Sequence, residues 1–390
     1  MKPKILVVGE VCKLSEFGEF TRVLGETLEL VGYEVAYFDV LGTWLFSDYQ
    51  SFLSLHPRIE KFAAKTIRAK YPKEAVVGFD LVMLCHPVFD LQNWFVRFST
   101  LPIICCTTFE ATPLPARYGA ILTHAQKVIT LSGFSKDMFD KAGVRDVTVV
   151  PVGMFSKDCK ISARSSDVSY SFLNISSWSV RKNLEDLFVA YACVEDICKT
   201  KGLGKVELTL KTSLPSMSNV GHVYTQKCIA DLMKHIGYPA MPNVKVHTSV
   251  TTDEETIAMI QSADCYVSTS FGETPGLPMF DAFCNGLDIV SHNKDGSSEY
   301  LTDKTVGYYS VNAHKAVPIN GDGFSPFDYT TRWFRPNVDE VIEQMVRCVE
   351  TRSNSKKSAN NKARRENQSA LFDRNKAVEV LDGVVRDVLR

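Results

Sequence analysis

The stretch Ser270-Phe271-Gly272-Glu273-Thr274-Pro275-Gly276-Leu277-Pro278-Met279-Phe280-Asp281-Ala282-Phe283-Cys284-Asn285-Gly286 joins an apolar run, Cys265–Ser268, to an amphipathic one. Pro278 suits the first helical position, because it lacks only an N–H that would be unpaired there. Gly276 lets the backbone come close to a ligand. The amides of Gly276 and Leu277, with Thr274 and Pro275 beside them and a helix dipole behind, form an anion site fit for a diphosphate. Glu273 lies just before that helix end, where it can accept hydrogen bonds from sugar hydroxyls. Asp281, one turn in, can hold a ribose diol, as acidic residues do in dinucleotide sites. The plain alternative is a turn into a helix whose acidic residues favour the positive end of the dipole.

Outward from this stretch the chain alternates β-rich runs with amphipathic ones. In the first half, Ile5–Val8, Val35–Phe38, Leu81–Leu84, Ile103–Cys106, Val128–Leu131 and Val147–Val150 read as strands buried on both faces. Phe17–Val31 and Ser135–Ala142 read as helices, each stopped by a glycine. After Pro151-Val152-Gly153 and a polar stretch the alternation restarts. Strands Tyr170–Ile175, Val206–Leu210, Val244–His247, Cys265–Ser268 and Ile289–Ser291 are separated by helices near Asn183–Cys198, Thr225–His235 and Asp253–Ser262. The pattern implies an α/β protein of two doubly wound parallel sheets, with ligands at the carboxyl ends of strands and in a cleft between domains. The boundaries are an N-terminal domain over 1–155, a linker over 156–169, a C-terminal domain over 170–351, and a basic connection with a closing helix over 352–390.

Composition agrees. A chain of 390 residues exceeds one ordinary core. Its net charge of −1 excludes a uniformly basic nucleic-acid binder. No apolar run approaches the roughly 20 residues that span a bilayer, and the N-terminus reads as a strand rather than a signal peptide. The 11 cysteines include no Cys-x-x-Cys pair and several sit in apolar runs, which fits a reducing, cytoplasmic compartment. No Asp-x-Asp and no His/Cys cluster at zinc-ligand spacing occurs, so no protein-bound metal is expected.

The segment Ser270–Gly286 resembles the Glu-x7-Glu signature of retaining glycosyltransferases of family four, which have the two-domain GT-B fold. The resemblance extends to Ala263-Asp264 before it and to Ile289-Val290-Ser291 and Ser298-Glu299 after it. It also takes in Leu131-Ser132, Ser135-Lys136, Ala142-Gly143-Val144 and Val149–Gly153, so that it covers residues 100–300 in patches. It implies a nucleotide-diphosphate sugar donor, most commonly a UDP-sugar, and front-face attack with retention. Asp281 departs from the family, which usually has Glu there.

A second element, Ile175-Ser176-Ser177-Trp178-Ser179-Val180-Arg181-Lys182-Asn183, follows the first strand of the second domain. Adjacent cations at a helix start are badly placed for the dipole and well placed for a diphosphate. Similar enzymes have an Arg and a Lys here, both on the donor phosphates. Lys182 matches the lysine, Trp178 stands where the arginine is expected, and Arg181 or Lys211 can supply the missing charge.

On the acceptor side, Glu110 in Thr107–Pro115 resembles a subgroup with Glu followed by Leu-Pro; it can orient an acceptor hydroxyl or touch the donor sugar. Gly18 can let the backbone approach the donor. His86 reads as a satisfied structural histidine. Arg58, Lys61, Lys65 and Arg68 recur at helical spacing, and 352–368 is strongly basic. Both are solvated faces, contacts for an anionic membrane surface, or contacts for nucleic-acid phosphates. The expected acceptor is a glycan or lipid-linked glycan. The alternatives are a hydroxymethylated pyrimidine in DNA, a non-catalytic sugar-nucleotide or glycan-binding module, and a nucleotide-sugar epimerase.

Overall fold

The computed structural model describes residues 2–43, 49–69, 72–156, 169–213, 219–238, 243–318, 326–352 and 373–390. The interior of the expected linker (157–168) and nearly all of the basic run 352–368 lie outside them.

The chain forms two units. The first contains β1 (Lys4–Gly9), α1 (Glu16–Val31), β2 (Glu34–Asp39), α2 (Tyr49–Leu55), α3 (Pro57–Ala63), α4 (Pro72–Ala75) and β3 (Leu81–Cys85). It continues with α5 (Leu91–Phe98), β4 (Ile103–Cys106), α6 (Ala116–Leu122), β5 (Lys127–Thr130), α7 (Gly133–Lys141) and β6 (Val147–Val149). All its strand pairs are parallel, in the order β2-β1-β3-β4-β5-β6. Ile5–Val8 of the central β1 are fully buried, as an apolar run covered on both faces must be. Helix α1 starts at Ser15, whose hydroxyl accepts from the Gly18 amide, and stops at Gly32, whose φ of 102° only glycine adopts freely. Beyond β2 a single bridge, Tyr37 to Thr66, stands where a further edge strand would pair.

The second unit contains β7 (Ser169–Ser177), α8 (Leu184–Lys201), β8 (Lys205–Ser213), α9 (Asn219–His235), β9 (Val244–His247), α10 (Asp253–Ser262) and β10 (Cys265–Val267). It goes on through α11 (Leu277–Cys284), β11 (Asp288–Ser291), β12 (Tyr308–Ser310), a small antiparallel pair β13 (Ala313–Ala316) and β14 (Trp333–Pro336), and α12 (Val338–Arg352). Its parallel sheet runs β12-β11-β10-β7-β8-β9. On one face Phe172, Leu208, Leu210 and Val267 pack with Leu187, Phe188 and Tyr191 of α8 and Met345 of α12.

The units are not contiguous in sequence. Pro326–Thr331 and the last helix, α13 (Arg374–Leu389), belong to the first unit. There Tyr33 donates to Asp382 at 2.8 Å and Lys127 pairs with Asp387 at 2.6 Å.

Candidate functional site

The winding of the second sheet reverses between β7 and β10, and doubly wound sheets bind ligands at such a reversal. After β7 the backbone makes one tight turn, Val180–Lys182, and Asn183 takes a left-handed φ of 48° before α8 begins. Its amide holds that conformation by donating to Asp186 Oδ2 at 2.7 Å and to the Thr269 carbonyl at 3.2 Å. Lys182 then meets the chain leaving β10: Nζ donates to Glu273 Oε1 at 2.6 Å and to Oε2 at 2.7 Å. Both residues are buried, at 9% and 6% exposure. The Arg181 guanidinium lies 3.7 Å from Glu273 Oε2 and donates to the Gly272 carbonyl. Burial alone would raise the Glu273 carboxyl, but the Lys182 ammonium and then Arg181 override it and hold the carboxyl below its ordinary range.

Gly276 precedes α11 with φ 80°, and no side chain caps that helix. A Cβ there would lie 3.0 Å from Glu273 Cβ, so the turn needs glycine for its handedness and for its closeness to the carboxylate. Thr274 is buried, and the Tyr300 hydroxyl donates to the Pro275 carbonyl at 2.9 Å. Leu277 opens the helix with Pro278 in its first turn, and Asp281 lies one turn in, half-buried. Lys211 on β8 is level with Ile175 of β7 and His247 of β9. Burial pulls its ammonium below the usual lysine range, and it has no hydrogen-bond or ion-pair partner among the described residues.

The chain after β11 holds the Glu273 backbone. The Glu273 amide donates to Asp295 Oδ2 at 2.7 Å, and its carbonyl accepts from the Gly296 amide at 2.9 Å. His292 Nε2 and the Ser270 carbonyl are 2.9 Å apart, and His292 Nδ1 accepts from the Lys294 amide at 3.2 Å. Ser297 Oγ donates to Asp295 Oδ1 at 2.6 Å rather than to an imidazole nitrogen, so the trio is not a nucleophile–base arrangement. Sequence reasoning finds neither Asn183, His292 nor Asp295; the turn signal Asp295-Gly296 is the one mark they carry.

Arg181, Lys182, Glu273, Thr274, Pro275, Gly276, Leu277, Asp281 and Lys211 all belong to the second unit, and Gly18, His86 and Glu110 to the first. Trp178, standing where an arginine was expected, packs against the core of the second unit. A Cβ on Gly18 would lie 2.2 Å from the Lys13 carbonyl and 2.8 Å from that of Glu10, so this glycine is required by its own loop. Glu110 is half-buried in the loop after β4, where its neighbour Phe109 packs on Tyr118 and Phe327. Of the two His86 ring nitrogens, Nε2 faces Asp90 Oδ2 at 3.8 Å, and the buried Nδ1 has no hydrogen-bond partner among the described residues. Burial pulls its imidazole below the ordinary range against the opposing pull of Glu10 and Asp90. The basic stripe is half neutralised, because Arg58 pairs with Glu19 and Glu26 and Lys65 with Glu29.

Among solved structures, sucrose-phosphate synthase from Thermosynechococcus elongatus superposes with TM-score 0.67 at 15% identity, over 100% of this chain and 99% of that one. The fold is GT-B. A second GT-B structure, HepE of Anabaena in complex with UDP and glucose, gives TM-score 0.63 at 12% identity over 99% of both chains. In sequence, an alpha-monoglucosyldiacylglycerol synthase of Streptococcus pneumoniae is 23% identical over 155 residues, 39% of this chain and 31% of that relative. The match thus spans about a third of the relative's length. No family model matches. Among the described residues no helix is long and apolar enough to cross a membrane.

Proposed function

We propose that this chain is a retaining glycosyltransferase that moves a sugar from a UDP-sugar to a hydroxyl of a glycan or lipid-linked glycan, without a protein-bound metal. The observation that carries the reading is the buried Lys182–Glu273 pair at the winding reversal, beside the uncapped N-terminus of α11. A nucleoside diphosphate leaving a sugar gathers negative charge. Lys182, Arg181 and the amides at Gly276–Leu277 stabilise that charge where it develops, while Glu273 holds sugar hydroxyls and Asp281 the ribose diol. Lys211 adds a third cation from the neighbouring strand. The acceptor oxygen, oriented by Glu110, attacks the anomeric carbon from the leaving-group face; the carbon–phosphate oxygen bond breaks, and a donor phosphate oxygen takes the acceptor proton. No metal is required to neutralise the phosphates where lysine and arginine do so.

The relatives support the donor class and sugar transfer in general: HepE is in complex with UDP-glucose, and the pneumococcal relative is named for a glucosylated diacylglycerol. Part of the basic stripe offered to nucleic-acid phosphates or an anionic membrane surface is paired with glutamates of α1, which weakens both contacts.

A thermal-shift panel of nucleotide sugars and free nucleotides in metal-free buffer tests the reading. Stabilisation by UDP and by one UDP-sugar is expected. No shift with any nucleotide would reduce the chain to a GT-B frame without donor binding.

A further inference from the structure

We propose that Asp295 and His292 are positioning residues that set Glu273 for the sugar part of the donor, an inference that rests on Glu273 being a sugar contact. Glu273 is gripped at both ends of its peptide by one turn: its amide by the Asp295 carboxylate at 2.7 Å, its carbonyl by the Gly296 amide at 2.9 Å. Asp295 is 1% exposed, and its other oxygen takes two donors, the Ser297 amide at 2.9 Å and the Ser297 hydroxyl at 2.6 Å. A carboxylate buried this deeply is retained only where donors surround it. Here one of those donors is the backbone of the residue that meets Lys182. The fit leaves no slack: a Cβ on Gly296 would stand 2.9 Å from the Glu273 carbonyl oxygen and from Thr274 Cα. His292 fixes the same loop three residues earlier. With Nδ1 accepting from the Lys294 amide, the neutral ring carries its hydrogen on Nε2 and donates to the Ser270 carbonyl at 2.9 Å. Ser270 in turn donates to the Gly272 carbonyl at 3.1 Å.

This grip acts on Glu273 directly. It reaches the groups assigned to the diphosphate only at second hand, through the Glu273 carboxylate on Lys182 and through the Ser270 hydroxyl and Phe271 amide, which donate to the Arg181 carbonyl at 3.3 and 2.8 Å. Arg181 and Lys182 arrive from the turn after β7, which has its own supports in Asn183 and Thr269. Loosening Asp295 therefore affects recognition of the sugar more than recognition of the nucleotide. Asp295→Asn is the informative change, because it keeps shape and removes charge. The two Ser297 donors draw the amide oxygen to their side, which leaves the new NH2 facing the Glu273 N–H, donor against donor, and displaces Glu273.

The experiment is titration calorimetry of the full chain with UDP and with UDP-glucose, alongside thermal unfolding. For Asp295→Asn the dissociation constant for UDP-glucose rises about tenfold, the scale of one charge-assisted hydrogen bond, and that for UDP by less than about twofold. His292→Phe, which keeps a ring against Phe334, shows a smaller and less selective loss, still larger for UDP-glucose than for UDP, because Ser270, which His292 holds, also donates to the Arg181 carbonyl at 3.3 Å. Equal weakening toward both probes, or none toward either, overturns the inference while the donor site stands. A wild-type chain that binds neither probe overturns the donor site and the inference together.

Discussion

The two units wind their sheets alike and furnish them differently. In the second the order from the edge is β9-β8-β7-β10-β11-β12; in the first, β2-β1-β3 follows the same path with its outermost strand reduced to the Tyr37–Thr66 bridge. At the reversal in the second unit, opposite charges from two strand ends clasp each other beside a glycine turn into an uncapped helix. At the reversal in the first, Glu10 after β1 is closed off by Lys13 at 3.0 Å and Ser15 at 2.5 Å, and β3 is followed by a buried His86. No Gly-Leu-Pro turn follows there. One winding thus offers two strand-end crevices, and loop chemistry decides which of them presents cations and an uncapped helix N-terminus.

The largest effect that can break this contrast is on stability. Lys182→Met strips the buried Glu273 carboxylate of its two short hydrogen bonds and leaves it the Arg181 guanidinium at 3.7 Å, and unfolding by denaturant should show a loss of up to about 3–5 kcal/mol. Adding Glu273→Gln should restore most of it, since removing both charges leaves no uncompensated ion. The double variant should also lose part of its acid sensitivity. Because the folded Glu273 carboxyl lies below its ordinary range, its stabilising share is full above that range and is lost as pH falls through the depressed value. A double variant that stays as unstable as Lys182→Met would contradict the pairing. A smaller effect belongs to the first unit. Gly18→Ala places a Cβ against the Lys13 carbonyl and should cost about 1–3 kcal/mol in unfolding free energy. It should leave the affinity for UDP intact; a large drop in that affinity would return Gly18 to the donor.

Much of the frame is legible in the residues. Apolar runs such as Ile5–Val8 and Ile103–Cys106 mark strands because a two-face-covered strand admits little else. Val244–His247 and Asp253–Ser262 fall where the alternation places them, and in the structure Thr252 and Glu255 close the helix start as a capping box. β12, β13 and β14 escape notice because they are three or four residues long and carry polar residues such as His314 and Lys315. Nothing local marks the return of Pro326–Thr331 to the first unit, since that docking depends on Phe327 finding Phe109 and on Tyr118 donating to the Pro326 carbonyl at 2.8 Å. Within the site, Glu273, Gly276 and Lys182 are readable from charge and turn chemistry. Asp295 and His292 are not, because they bond to backbone atoms and their value depends on which loop lies opposite.

Whether the Lys182–Glu273 pair handles a nucleotide-sugar donor is read from sugar release or transfer from whichever UDP-sugar stabilises the wild type. Wild type, Lys182→Ala and the Lys182→Met/Glu273→Gln double variant are compared under conditions where each is folded. Turnover should fall by about 10²–10³ in both variants, as when one group stabilising a developing negative charge is removed. Turnover within a few-fold of wild type in the folded double variant would contradict it.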